Sequence, residues 1–212
     1  MTIRHHLDDN TLMAYAAGTL PEAVNLVVAA HVSLCDECRA SVEGYDAVGG
    51  ILMDQSHHVA MSDESLAQVL ARLDLPVTEK TVVRKPGALP GPVQDYVGGD
   101  LESVKWKPIG LGVKQAILPT SSEATARLLF IPAGVAMPDH SHAGSEFTLV
   151  LQGAFFDADD RFARGDIEIA NDDVTHTPIA DIGEDCICLA VTDAPLEFKG
   201  WVPRIVQKFV DI

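Results

Sequence analysis

Residues 134–153 read GVAMPDHSHAGSEFTLVLQG, and the spacing within this stretch decides the fold of the larger part of the chain. Gly134 is followed by His140, His142, Glu146 and Gly153. In a β-strand, residues two apart face the same side. His140 and His142 can therefore both point into a barrel, and Glu146 can reach the same point from the start of the next strand. A further histidine, His176, lies in another strand-like segment. Three imidazoles and one carboxylate make a transition-metal site for Zn, Fe, Mn, Ni or Cu.

The sequence on either side of this stretch supports a β-domain. VKWKPI (104–109), VKQAIL (113–118), ARLLFI (126–131), FTLVLQG (147–153), DIEIA (166–170) and CICLAV (186–191) are short, β-branched or alternating segments. Gly, Pro, Asp or Asn separates them, which predicts an antiparallel barrel or jelly roll. The tail WVPRIVQKF (201–209) is ambiguous, and internal repeats are not evident. Upstream, KPGALPGPVQDYVGG (85–99) holds three prolines and four glycines and reads as a linker or an extended arm.

The first seventy-odd residues read as helices. In HLDDNTLMAYAAGTL (6–20), Asp8, Asp9 and Asn10 are start signals and Gly18 is a stop. Pro21 suits the first turn of a second helix through EAVNLVVAAHVSL, whose apolar residues at nearly every position predict burial. A third helix starts near Asp36 and runs through Leu52. SDESLAQVLARLDL (62–75) is a fourth, capped by Ser62, with Leu66, Val69, Leu70 and Leu73 as its apolar stripe. That stripe is read first as core packing, with docking into a partner's groove as the alternative.

Within this helical segment His31, Cys35 and Cys38 form an H-x3-C-x2-C cluster. Thiolate and neutral imidazole are favoured zinc ligands, and a structural site wants four of them in a tetrahedron. Offsets of four and seven return to one helix face, although the cysteine pair can also sit on a turn entering a helix. His5 and His6 lie upstream, and either could close the site. Four short helices make a core that is marginal without a staple, and a bound zinc would supply one.

The chain has 212 residues, 47% of them hydrophobic, and a net charge of −16. Residues 1–85 carry 6 basic and 12 acidic side chains, and residues 86–212 carry 9 and 19. Direct nucleic-acid binding is disfavoured, since phosphate contact needs concentrated Lys and Arg. No apolar run approaches the roughly 20 residues that cross a membrane. The N-terminus lacks the pattern of a signal peptide. The expected compartment is the cytoplasm, where paired cysteines are more often metal ligands or redox groups than disulfides.

The 134–153 stretch matches the first motif of the cupin family, G-x5-H-x-H-x3-E-x6-G, at every position. Of the second cupin motif, G-x5-P-x-G-x2-H-x3-N, Gly165 and His176 keep the spacing. Asn171, Asp173 and Ala180 stand where that motif has Pro, Gly and Asn, so the turn before His176 departs from the usual one. A helical H…H-x3-C-x2-C module followed by a cupin resembles, over nearly the whole chain, the ChrR family of zinc-binding anti-sigma factors. The resemblance implies a zinc-stapled helical anti-sigma domain at 1–76, a Pro/Gly-rich linker at 77–98 and a cupin with its tail at 99–212. It implies structural Zn2+ on His6, His31, Cys35 and Cys38. Here His6 is picked over His5 because the family histidine directly precedes the start of the first helix. It implies a divalent transition metal, with Zn2+ preferred, on His140, His142, Glu146 and His176. The implied partner is an extracytoplasmic-function (ECF) sigma factor, bound one to one and released under singlet oxygen or related oxidants. The cupin site would be needed for that response. Neither nucleic acid, membrane nor small-molecule substrate is expected.

The rival reading is a metal-dependent cupin enzyme, a dioxygenase or isomerase. It needs a general base, and Asp157, Asp159, Asp160, Asp172 and Asp173 read mainly as solvated turns. A DNA-binding zinc finger is disfavoured by the acidic charge. Cys186 and Cys188 read as buried strand thiols rather than a second redox element. His57 and His58 read as exposed loop residues, Trp106 and Trp201 as packing, and His5 as a neighbour of the metal site.

Overall fold

The computed structural model describes residues 2–73, 86–138, 140–142, 144–158, 160–170, 175–193 and 196–198; the side chains of 140–142, 175–176 and 196–198 are not described. The expected tail 201–212, with Trp201, and linker residues 77–85 therefore lie outside the described residues.

The N-terminal helices begin and end where local chemistry dictates. Helix α1 (Asp9–Ala16) is capped by Asp8, whose Oδ1 accepts the Thr11 N–H at 2.9 Å. Helix α2 (Glu22–Leu34) follows Pro21, and α3 (Asp36–Asp54) follows Cys35, whose extended backbone ends one helix and starts the next. Helix α4 (Ser65–Leu73) is the predicted fourth.

Six strands form the main antiparallel sheet, in the order β1 (Lys107–Gly110), β2 (Val113–Ile117), β3 (Thr125–Ile131), β11 (Cys186–Thr192), β5 (Glu146–Gln152), β8 (Ile167–Ala170). These are the six segments that the sequence pattern marks as strands. The shorter strands β6 (Ala154–Asp157), β7 (Asp160–Ala163) and β10 (Ile179–Ala180) make a second sheet. A third consists of β4 (His140–His142), β9 (Thr175–His176) and β12 (Leu196–Phe198). Among the described residues these three sheets form a cupin-like fold and do not close into one continuous barrel.

The two faces of the main sheet serve different cores. Ile187, Leu189 and Val191 of β11 pack with Leu149 and Leu151 of β5 into a cluster that also holds Val24, Leu26, Val27 and Val28 of α2. Cys186 and Cys188 alternate to the other face, with Val150, Phe155 and Phe162. Helix α2 thus lies against β3, β5 and β11 on one side and meets α1, α3 and α5 (Gly91–Val97) elsewhere. Burial of each of Val24, Leu26, Val27 and Val28 is worth about 1.5–3 kcal/mol.

Two expectations need correction. The linker is not free chain from residue 86 onward. Pro92 stands in the first turn of α5, where a missing N–H costs nothing, and Gly98 closes the helix at φ +81°. Leu89 and Val93 are buried, Asp100 accepts the Ala88 and Leu89 N–H groups at 3.0 and 2.8 Å, and Arg164 donates to the Ala88 carbonyl at 2.8 Å. The stripe of α4, conversely, is not core. No residue of α4 is buried, and the helices that pack against α2 are α1, α3 and α5.

Gly153, the last glycine of the 134–153 motif, sits at φ +67°, and a Cβ there would lie 2.6 Å from the Asp185 carbonyl oxygen. Gly153→Ala is therefore expected to cost about 2 kcal/mol or more, read as a lowered Tm by calorimetry.

Candidate metal centre

Three separate pieces of chain bring His6, His31, Cys35 and Cys38 together. His31 stands in the last turn of α2, Cys35 at the junction, Cys38 in the first turn of α3, and His6 on the chain just before α1. One ligand atom from each residue lies within 4.8 Å of all the others. His31 Nε2 is 3.3 Å from Cys38 Sγ, and His6 Nδ1 is 3.3 Å from Cys35 Sγ and 3.7 Å from Cys38 Sγ. A tetrahedral zinc, with bonds of about 2.0–2.3 Å, sets its ligands about 3.3–3.8 Å apart. The donor set and its spacing therefore fit the ion. The other nitrogen of His6 faces the Glu37 carboxylate at 3.5 Å, the arrangement that orients metal-binding imidazoles.

The electrostatics point the same way. Burial pulls the His31 imidazole down to about 4, with the Gly165 backbone beside the ring acting in the opposite direction. Burial pushes the Cys38 thiol up to about 11; the Leu7 backbone opposes this and the Cys35 sulfur adds to it. A cluster holding neutral imidazole and two crowded sulfurs is poised for a cation, which would turn the thiols into thiolates.

His5 is not part of this cluster. Its ring turns away to Phe162, with centroids 4.2 Å apart, and its Nε2 is 3.0 Å from the Asp160 carboxylate. Sequence reasoning treated Asp160 as a solvated turn and did not single out Asp166, which accepts the Arg4 and His5 N–H groups. Both contacts span about 160 residues, and no local pattern signals them.

The second constellation is described at the level of backbone and Glu146. His140 in β4 pairs with His176 in β9, and β5 opens at Glu146, whose side chain is buried. Glu146 pairs with Ala170 and Thr192, and Thr148 with Glu168, which puts Glu146 and Glu168 on one face of the sheet. Burial, then a hydrogen bond with Asp157, pushes the Glu168 carboxyl up to about 9. Asp157 is therefore half-buried and paired, not a solvated turn; Asp159, Asp172 and Asp173 lie outside the described residues. Cys186 and Cys188 are buried with sulfurs 3.4 Å apart, and Cys188 is pushed well above its ordinary value, first by the Cys186 contact and then by burial. His57 and His58 are exposed, and Trp106 packs on Phe130.

The fold and the cluster define a cupin protein with a helical His2Cys2 segment ahead of it. A family model described as the ChrR cupin-like domain matches residues 94–195. The anti-sigma-E factor ChrR of Cereibacter sphaeroides (strain ATCC 17023) is 58% identical over 214 residues, covering 100% of both chains. The crystal structure of Rhodobacter sphaeroides SigE in complex with the anti-sigma ChrR aligns with a TM-score of 0.82 at 59% identity, covering 90% of this chain and 100% of that one. The chain belongs to the ChrR family of anti-sigma factors.

Cys38→Ala is expected to lower the zinc content of the purified chain by about one equivalent, measured by metal analysis. A strong chelator is expected to make Cys35 and Cys38 available to alkylation, followed by mass spectrometry, and to lower Tm.

Proposed function

We propose that the chain sequesters an ECF sigma factor, one to one, through its N-terminal helices and releases it under oxidative stress, singlet oxygen in particular. The observation that carries this reading is the apolar surface left open on α3 and α4. Val48, Ile51, Leu52 and Met53 near the end of α3 are exposed, as are Leu66, Val69, Leu70 and Leu73 of α4. Every residue from 46 to 64 is exposed, so this arm buries none of its side chains against the described chain. Eight large apolar side chains facing water on adjoining helices mark a protein-binding surface. A relative of 59% identity was crystallised with SigE. The role is binding, not catalysis: the relative matched end to end is named an anti-sigma factor.

In this reading the domains are a clamp at 1–76, a connection at 77–98 and a cupin at 99–212. Zn2+ on His6, His31, Cys35 and Cys38 staples the clamp, fixing the base from which the α3 and α4 arm projects. A divalent metal, with zinc preferred, on His140, His142, Glu146 and His176 serves the response. The pairing of His140 with His176, and the burial of Glu146 at the head of β5, support that ligand set. The net charge of −16 favours a protein partner over direct contact with nucleic acid. No helix among the described residues is long and apolar enough to cross a membrane; a sigma factor partner supports a cytoplasmic location.

Leu70→Asp is expected to weaken sigma binding at least about 100-fold, by titration calorimetry, with Tm unchanged because the side chain is exposed. His140→Ala is expected to keep sigma binding and lose induction by singlet oxygen in a reporter strain. Normal induction in that variant would overturn the role given to the cupin metal.

A further inference from the structure

The cupin half reaches into the N-terminal metal centre. The turn between β7 and β8 holds the strap of chain that precedes α1. Asp166, 2% exposed, accepts the Arg4 N–H at 2.6 Å and the His5 N–H at 3.0 Å through Oδ1. Its Oδ2 accepts the Ala163 N–H at 2.8 Å, which fixes the carboxylate within its own turn. The Ile167 N–H donates to the His5 carbonyl at 3.4 Å. Both backbone groups of His5 are thus tied to the cupin, and so is its side chain, through Asp160 and Phe162. Gly165 lets the strap lie close: at φ +90° it has no side chain, and a Cβ there would come within 2.6 Å of Ile3 Cδ1.

The residue that follows this pinned peptide is His6. The ring of His31 lies beside the Gly165 backbone. Two of the four cluster residues are therefore set against a single cupin turn. From that turn β8 runs to Ala170, which pairs with Glu146.

We propose that the β7–β8 turn is a positioning element of the N-terminal metal centre, with Asp166 as the anchor that holds His6 in ligand position. The cupin then completes the staple of the clamp, and a change in the cupin reaches the clamp first as a loosened His6. This rests on reading the cluster as a zinc site and the helices as the sigma clamp.

The test uses the full chain. Zinc release to a chromogenic chelator is timed, and the visible spectrum of the Co2+-substituted protein reports how many ligands remain. Asp166→Ala is expected to release the N-terminal zinc about tenfold faster and to shift its Co2+ spectrum toward that of His6→Ala. Asp166→Asn keeps an acceptor for the Arg4 and His5 amides and is expected to fall between. Asp160→Ala removes its contact to the His5 ring and its bond from the Arg161 N–H, leaves the strap's backbone bonds to Asp166 in place, and is expected to stay near wild type. If Asp166→Ala does not fold, Gly165→Ala is used instead: crowding of Ile3 is expected to speed release, and Ile3→Ala beside it to restore part of the wild-type rate. A wild-type release rate and spectrum in Asp166→Ala, or in Gly165→Ala where that replaces it, would overturn the proposal. Sigma binding is measured in parallel on the unaltered chain. Its absence there would sink the clamp reading while leaving the zinc result to decide the role of Asp166.

Discussion

Everything else in the molecule depends on the burial of α2. Its apolar side chains pack into the main sheet of the cupin, while α1, α3 and α5 cover the rest of its surface. A helix apolar at nearly every position has no face to offer water, so it can be stable only when enclosed. That enclosure fixes where His31 and Cys35 stand, and Cys35 in turn ends α2 and starts α3. The His/Cys cluster is thus built on a rigid element, and the helical segment shares one hydrophobic cluster with the cupin.

Two environments lie side by side at this junction. Within the cluster, burial opposes charge on both ligand types, lowering the imidazole of His31 and raising the thiol of Cys38. One turn away, burial would also raise the Asp166 carboxyl, but backbone N–H groups from Arg4, Ala163 and His5 outweigh it and hold the group below the ordinary carboxylate range. An ionised, fully bonded anchor beside a neutral donor cluster suits the two tasks: one grips backbone, the other awaits a cation. Beyond the cluster the chain changes character, since α3 past Tyr45 and all of α4 lie open to water. The molecule therefore joins a tightly packed base to an exposed apolar arm.

Much of this was legible in the sequence because it follows from local rules. The six strands of the main sheet carry period-two or β-branched runs, and each was marked. The start at Asp8 and the stop at Gly18 follow from capping chemistry, and Pro21 and Asp36 mark the starts of α2 and α3 to within one residue. What escaped was short or distant. Short strands such as β6, β7 and β10 show no period, and α5 is hidden in a run of Pro and Gly that reads as linker. The stripe of α4 looked like core because amphipathic periodicity is the same whether a helix meets its own chain or a partner.

The sequence by itself determined the longer elements, the His/Cys cluster and the cupin spacing, since ligand types and their intervals are properties of neighbouring residues. It could not choose between His5 and His6 without a family resemblance. The tertiary structure chooses by geometry: His6 enters the cluster, while His5, one residue earlier, turns to Asp160 and Phe162. Only the folded chain could assign Asp166 its grip on the strap and leave α4 unburied among the described residues. The grip of Asp166 depends on surfaces that meet across some 160 residues, and contact at that range is written in packing rather than in pattern.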